Sequence, residues 1–376
     1  MRILYLTQSH WPYIGGIETI SQELIEGLHG PEFEFCVLTF RDDPALPATD
    51  MRGGVPIRRL DVSGAFKSRD AVLLASICRE VTTICREWDP DLIHVAFTPP
   101  TGFLAFASRL RRIAPLLVSV HGWWPALEES NPTATRRAIV EADWVTAVSR
   151  SCLDGIRAFE PAVTERSSWV LNGLEPDPTP PRPLPYDPPV VVGAGRLSQE
   201  KGFDVLVRAF AGLRKQFPDA RLVLAGRGIS EDSLHALVAE LGVADSVDFR
   251  GWVRRDDIPA LLEEATVVAV PSREEGFGMT ALEAATRARP VVATRIGGLP
   301  EVVEDGVTGV LIDQDSPDQL HAAMHSLIAD RAHATELGEA ARRRAEQLFS
   351  RERLLSEHVD LYRRLGARAA EPAVGL

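Results

Sequence analysis

Short runs of Val, Ile, Leu and Phe recur along the chain. Between them lie longer stretches whose apolar positions return every three or four residues. Compact β-forming runs bounded by turn residues predict strands, and stretches of 3.6-residue period predict helices. In the first half, strands are expected at 2–7, 34–40, 56–61, 91–97, 116–121, 144–149 and 168–172, with helices between several of them, at 71–88 and 102–112 for example. In the second half, strands are expected at 190–195, 221–225, 246–250, 266–270, 290–294 and 309–312, and residues 317–376 read as helical. Strand–helix alternation of this kind predicts βαβ units and parallel sheets, an α/β fold. The two sets are separated at 175–189 by EPDPTPPRPLPYDPP, whose eight prolines sustain neither helix nor ladder and read as a semi-rigid linker.

A length of 376 residues favours two domains, and a hydrophobic content of 45% supplies sizeable cores. The net charge of −12 argues against a nucleic-acid partner, while leaving room for a local basic patch at a membrane or phosphate surface. Cys36, Cys78, Cys85 and Cys152 show no C-x-x-C spacing and read as reduced and mostly buried, as in a cytoplasmic protein. The opening MRILYL reads as a first strand rather than a signal peptide, and no window reaches membrane-spanning length.

The candidate chemistry sits where predicted strands end. Pro271-Ser-Arg-Glu-Glu-Gly-Phe-Gly-Met-Thr-Ala-Leu-Glu-Ala284 follows a strand and opens a helix. Gly276 and Gly278 let backbone approach a ligand, and the amides of Phe277 to Met279 at the helix start suit an anion. Glu275 precedes that helix and Glu283 lies about one and a half turns inside it. Gly195-Arg196-Leu-Ser-Gln-Glu-Lys201-Gly202 also joins strand to helix, so that Arg196 and Lys201 can both reach a pyrophosphate. Gly15, Gly16 and Glu18 stand after the first strand, and His121 ends another, followed by Trp123 and Trp124, which can stack on a sugar or pack the loop. Ligands in open α/β sheets bind beyond the carboxyl ends of strands. Gly193-Ala-Gly195 imitates a dinucleotide fingerprint, but Ser198 occupies the place of its last glycine. Asp89 and Asp91 have D-x-D spacing but precede a strand and read as a turn, and no metal site is expected.

The 271–284 segment resembles the E-x7-E signature of retaining GT-B glycosyltransferases of the group 1 family (family four). The Gly195–Gly202 string is similar to that family's Gly-Arg-x4-Lys-Gly element position for position. The resemblance implies two Rossmann-like domains facing across a cleft. They would be an acceptor domain at 1–174, the linker at 175–189, a nucleotide-sugar domain at 190–350, and a terminal helix in 351–376 packing back on the first. It implies catalytic roles for His121, Arg196, Lys201 and Glu275. Donor contacts are implied at Gly15, Gly16, Gly195, Gly226, Val253, Gly276, Phe277, Gly278, Met279 and Glu283, with Glu283 on the ribose, and acceptor contacts at Glu18, Trp123 and Trp124. Two departures stand out: Ala288, flanked by Arg287 and Arg289, takes a place often held by glycine, and Arg227 one often held by aspartate.

The function implied is retaining transfer of a hexose-type sugar from a nucleotide diphosphate sugar to a small molecule or lipid-linked glycan. A UDP-sugar is favoured over a GDP-sugar, the route is front-face, and no cofactor or divalent metal is required. Alternatives on the same fold are a sugar-nucleotide epimerase, a phosphorylase or a non-catalytic nucleotide-sugar-binding protein. The expected state is a cytoplasmic monomer or homodimer, with peripheral membrane contact open. Arg58, Arg59, Lys67 and Arg69 are candidate contacts for a phosphorylated acceptor.

Overall fold

The computed structural model describes residues 1–13, 15–68, 70–122, 132–175 and 178–370. Contacts divide the chain into two compact units, one of Met1–Asn172 with Arg351–Leu376 and one of Gly173–Ser350.

The first unit is built on eight strands: β1 (Arg2–Leu6), β2 (Glu34–Phe40), β3 (Thr49–Arg52), β4 (Val55–Leu60), β5 (Leu92–Phe97), β6 (Leu116–Val120), β7 (Trp144–Ala147) and β8 (Ser167–Trp169). Their order is β3-β4-β2-β1-β5-β6-β7-β8. All pairings are parallel except β3 with β4. Parallel strands covered on both faces need apolar side chains on both, which explains the unbroken runs in β1 and β2. Leu4, Leu6, Cys36 and Leu38 fall in one core cluster, and the alternate Ile3, Tyr5, Phe35 and Val37 in another. β3 was not legible as a strand because TDMR carries no apolar run. Its one signal is the two-residue Gly53-Gly54 turn to β4, both glycines at positive φ (56° and 85°). The helix expected at 102–112 begins earlier, as Pro99–Ala107, because prolines are tolerated in a first turn and Thr98 with Thr101 closes a capping box.

The helix Arg351–Ala370 belongs to this unit, and Tyr362 and Leu365 enter the cluster of β1, β2 and β5 fully buried. Burying a side chain such as Leu365 contributes about 2 kcal/mol. A polar chain runs beneath the helix. His94 Nδ1 bonds Tyr362 Oη at 2.8 Å, His94 Nε2 bonds Ser119 Oγ at 2.7 Å, and Ser119 Oγ bonds Thr146 Oγ1 at 2.6 Å. His358 stacks on His94 with ring centroids 5.8 Å apart, and its Nδ1 donates to Leu354 O at 2.8 Å. Hydroxyl partners on both nitrogens suit a neutral His94. Burial, reinforced by His358 and His121, holds it well below the usual histidine range, and burial pushes His358 down to about 4.

The second unit has six parallel strands: β9 (Val190–Ala194), β10 (Arg221–Ala225), β11 (Val247–Gly251), β12 (Val267–Val270), β13 (Val291–Thr294) and β14 (Gly309–Ile312), in the order β11-β10-β9-β12-β13-β14. From β9 the chain builds outward on one side and then returns to place β12 on the other. The switch point therefore lies between β9 and β12. The described part of the proline-rich run is fastened to this unit. Arg289 donates to Arg182 O at 2.6 Å, Arg182 reaches Glu263 at 3.2 Å, Thr266 Oγ1 donates to Pro185 O, and Arg331 lies 4.4 Å over the Tyr186 ring. The run supplies carbonyls that no ladder uses, and Arg289 and Thr266 supply donors to them. Arg289 is wholly buried, and burial pushes it down to about 10, so it keeps its charge at neutral pH. Arg287, beside it, pairs with Glu263.

Ala288 occupies a left-handed backbone position (φ 53°) after the helix Met279–Thr286. Ala288 N donates to Ala285 O and Arg289 N to Ala284 O, both at 3.0 Å, which is the Schellman arrangement that glycine favours. Ala288→Gly should raise stability by about 1 kcal/mol, since the left-handed conformation costs a β-carbon about that much. An unchanged or lower urea midpoint for the variant would count against it. Because burial depresses His94 and His358, the unfolded chain binds more protons between pH 6.5 and about 4. Stability of the first unit should therefore fall as pH drops through that window, by up to about 1.4 kcal/mol per pH unit for each imidazole. Denaturant midpoints at pH 7.5, 6.5, 5.5 and 4.5 check this, and a flat series contradicts it.

Candidate functional site

In the second unit the loops after β9 and β12 flank the switch point, the crevice where open α/β sheets hold ligands. The β9 loop runs from Gly195 through a short 3-10 turn, Gln199–Lys201, to Gly202, which opens the helix Phe203–Arg214. The β12 loop runs from Pro271 to Gly278, which opens the helix Met279–Thr286. Gly202 (φ 65°) is required because a β-carbon there would lie 2.0 Å from Pro271 O. Gly226 (φ 143°) is required in the same way, since its β-carbon would lie 1.8 Å from Gly195 O. The ends of β9, β10 and β12 are thus pressed together.

This contact brings Lys201 and Glu275 into one ion pair. Lys201 Nζ donates to Glu275 Oε2 at 2.8 Å, and Ser272 Oγ donates to the same oxygen at 3.2 Å. Ser272 is itself held by Thr294, whose Oγ1 donates to Ser272 O at 2.6 Å. Arg196 stands largely exposed at the rim, 3.5 Å from Glu200. Leu197 N donates to Arg227 O at 2.9 Å, and Gly195 N to Ala225 O at 2.9 Å, so the loop carrying Arg196 is fixed by its backbone. Gly278 (φ 109°) caps the helix whose first turn carries Met279, and Thr280 Oγ1 ties that helix to Ala194 O of β9 at 3.2 Å. Gly276 is buried, and Gly298 packs on its carbonyl so closely that a β-carbon would come within 2.6 Å.

Glu283 is half-buried on the same helix, and its carboxylate accepts no hydrogen bond from the described residues. Burial pushes its carboxyl up to about 7, opposed by the field of Arg255. Phe277 is spent differently, its ring buried edge-on to Phe349 with centroids 5.7 Å apart, so only its backbone is available to a ligand. Val253 follows β11 and is partly exposed. Arg227 lies against Gly251 at the end of β11, with guanidinium nitrogens 3.0 and 3.2 Å from where a β-carbon would sit, and it pairs with Glu231.

In the first unit, Gly15 caps the helix Gly16–Leu28, and Glu18 folds back over it, its Oε2 2.4 Å from where a β-carbon would stand. An alanine at 15 would have to displace that carboxylate. His121 follows β6 directly. Both of its ring nitrogens are buried without a partner among the described residues, and burial pushes it down to about 4. A neutral imidazole with an unspent N–H and an unspent lone pair suits a neutral hydroxylic ligand. Trp123 and Trp124 lie outside the described residues, as does Arg69. Arg59 is nearly wholly buried and bonds Asp50, Pro47 O and Trp11 O, so it is not available to an acceptor, whereas Arg58 and Lys67 are exposed.

Sequence reasoning singled out the two loops but passed over Ser272, Arg273 and Thr280. All three stand inside the segment it highlighted. Their signal was position alone, because a Ser, an Arg or a Thr in a loop carries no chemistry until its partners are known.

The chain matches two family models in succession: residues 15–173 match the glycosyl transferase 4-like domain, and residues 179–344 match glycosyl transferases group 1. It is 32% identical over 288 residues to a GDP-mannose-dependent alpha-(1-6)-phosphatidylinositol monomannoside mannosyltransferase of Mycolicibacterium smegmatis, covering 71% of this chain and 75% of the relative. It is 28% identical over 386 residues to a D-inositol 3-phosphate glycosyltransferase of Streptomyces avermitilis, covering 93% of this chain and 82% of the relative. Among solved structures, a sucrose-phosphate synthase from Thermosynechococcus elongatus superposes with a TM-score of 0.84 at 22% identity, over 98% of this chain and 100% of the other. HepE of Anabaena, solved with UDP and glucose, superposes with a TM-score of 0.78 at 23% identity, over 96% and 99%. Two parallel-sheet Rossmann-like units, the GT-B likeness and both family matches agree: the chain belongs to the group 1 glycosyltransferases.

Proposed function

We propose that the chain is a retaining hexosyltransferase that uses a nucleoside diphosphate sugar. The observation that carries the reading is the Lys201–Glu275 pair at the switch point of the second unit, with the amides of the Met279–Thr286 helix start beside it. Departure of the diphosphate builds negative charge on phosphate oxygens and positive charge on the sugar ring. Lys201, Arg196 and the helix-start amides supply fixed positive charge for the first. Glu275 supplies an acceptor for sugar hydroxyls and Glu283 one for the ribose, while His121, in the first unit, offers a neutral partner for a hydroxyl. The leaving diphosphate takes the acceptor's proton on the face from which it departs, which gives retention without a covalent enzyme intermediate. The two cations carry the charge that a metal would otherwise carry, so transfer is read as metal-independent.

The relatives at 32% identity are named for GDP-mannose, so a GDP-hexose is read ahead of a UDP-hexose here. Both sets of relatives carry inositol in their names, which makes an inositol hydroxyl the first acceptor to try.

A thermal-shift panel of GDP, UDP, ADP and their sugars, with EDTA present, tests the donor reading. A donor at 100 times its Kd should stabilise the protein by about 2.7 kcal/mol. Lys201→Ala should remove about half of that shift or more and lower GDP release from GDP-mannose, with D-inositol 3-phosphate as acceptor, at least about tenfold, one lost charge contact being worth about 1.4 kcal/mol or more. No shift from any nucleotide would sink the reading. A second expectation concerns pH. Ribose hydroxyls donate to an ionised carboxylate, and burial keeps the Glu283 carboxyl protonated below about 7 in the free protein. Nucleotide affinity should therefore strengthen as pH rises through that value, by up to about tenfold per unit below it. Calorimetry with GDP or UDP at pH 6, 7 and 8 measures this, and Glu283→Gln should flatten the difference.

A further inference from the structure

The Lys201–Glu275 pair joins two loops that leave different strands, so its geometry depends on what fixes one loop against the other. Arg273 forms most of that join. Its backbone N donates to Glu200 O at 2.7 Å. Its guanidinium then reaches the same turn again and two further elements. NH1 donates to Gln199 O at 2.7 Å and to Asp204 Oδ1 at 2.8 Å, NH2 to Asp204 Oδ2 at 2.8 Å, and Nε to Asp315 Oδ1 at 2.6 Å. Asp204 lies in the first turn of the helix Phe203–Arg214, and Asp315 in the loop after β14 at a left-handed position (φ 54°). A planar fork matched to a carboxylate on one edge, with its remaining donors on two other segments, defines direction as well as distance, which a lysine cannot do. The side chain is only 20% exposed, and the pairing holds the Asp204 carboxyl below its usual range.

We propose that Arg273 is a positioning residue for sugar transfer: it sets where Glu275 stands relative to Lys201, through the loop rather than by touching the donor. The proposal rests on the donor-site reading. The two loops depend on Arg273 unequally. The β9 loop keeps its own anchors without it, Gly195 N on Ala225 O and Leu197 N on Arg227 O, both at 2.9 Å. Without the guanidinium, the β12 loop keeps the backbone bonds of Arg273 N (2.7 Å) and Glu274 N (3.3 Å) to Glu200 O, the weaker Gly298 N to Glu275 O contact at 3.4 Å and the Thr294 bond to Ser272, but loses every side-chain tie to Asp204, Asp315 and Gln199 O. Loss of the guanidinium should therefore let Glu275 shift relative to Lys201, while Arg196 keeps its backbone anchors.

The test is a split between turnover and nucleotide binding. For Arg273→Ala, GDP release from GDP-mannose should fall at least about tenfold, the worth of one misplaced contact in the transition state. The Kd for free GDP or UDP by calorimetry should stay within about threefold. Arg273→Lys, which keeps a charge near Asp204 but loses the fork, should recover part of the turnover. A folded Arg273→Ala variant with wild-type turnover overturns the proposal. Turnover and affinity lost in proportion also overturn it, because the arginine would then be a strut for the whole unit. Should Arg273→Ala not fold, Asp315→Asn, which weakens only the Nε contact, should show the same split at smaller amplitude, and unchanged turnover in that variant overturns the proposal equally. If the wild-type chain binds no nucleoside diphosphate, the donor-site reading itself falls, a result distinct from each of these.

Discussion

A β-carbon at Gly202 would collide with the carbonyl of Pro271, and one at Gly226 with the carbonyl of Gly195. The arrangement of the second unit's candidate site depends on this absence of room. With nothing between them, the loops after β9 and β12 share backbone hydrogen bonds, and a lysine and a glutamate 74 residues apart in sequence meet at 2.8 Å. Ion pairs withdrawn from water contribute little net stability, since desolvation offsets the attraction. The packing of backbone on backbone, with the arginine fork, holds the loops, and the pair is carried with them. The same loop region offers cationic side chains, a helix start and carboxylates within one crevice, the charge pattern that loss of a diphosphate from a sugar calls for.

The first unit reaches its order by different means. Its sheet is closed off by the helix Arg351–Ala370, which arrives from the far end of the chain and seats Tyr362 and Leu365 among side chains of β1, β2 and β5. The buried polar chain Tyr362–His94–Ser119–Thr146 pins that helix to three adjacent strands. Ser119 is two residues before His121, whose ring nitrogens remain unpartnered among the described residues while those of His94 are both engaged. The two histidines thus differ in what their nitrogens meet, one a link in a packed network and the other without a partner among the described residues.

Two arginines beside Ala288 illustrate how a departure from the family pattern is accommodated. Arg289 and Arg287 turn inward and take up carbonyls of the proline-rich run and the carboxylate of Glu263. A run that carries no ladder of its own becomes attached to the second unit, and the left-handed turn at Ala288 orients both side chains toward it. The contacts these residues make are with the protein itself.

The sequence by itself determined the α/β class and most strands of both sheets, because two-sided burial of parallel strands writes itself as unbroken apolar runs. It also located the two loops, since glycine strings between strand and helix and a pair of glutamates at fixed spacing are local signals. It did not reveal β3, whose polar residues pair at an edge, nor the start of the helix at Pro99, where prolines read as breakers. Tertiary structure alone decided the strand order and with it the switch point, because local pattern carries no information about which strand lies beside which. It decided that Lys201 meets Glu275, that Arg273 bridges two loops and two aspartates, and that Arg59 is spent inside the protein. A side chain's type states what it can bond. Only the packed backbone states which partner stands within reach.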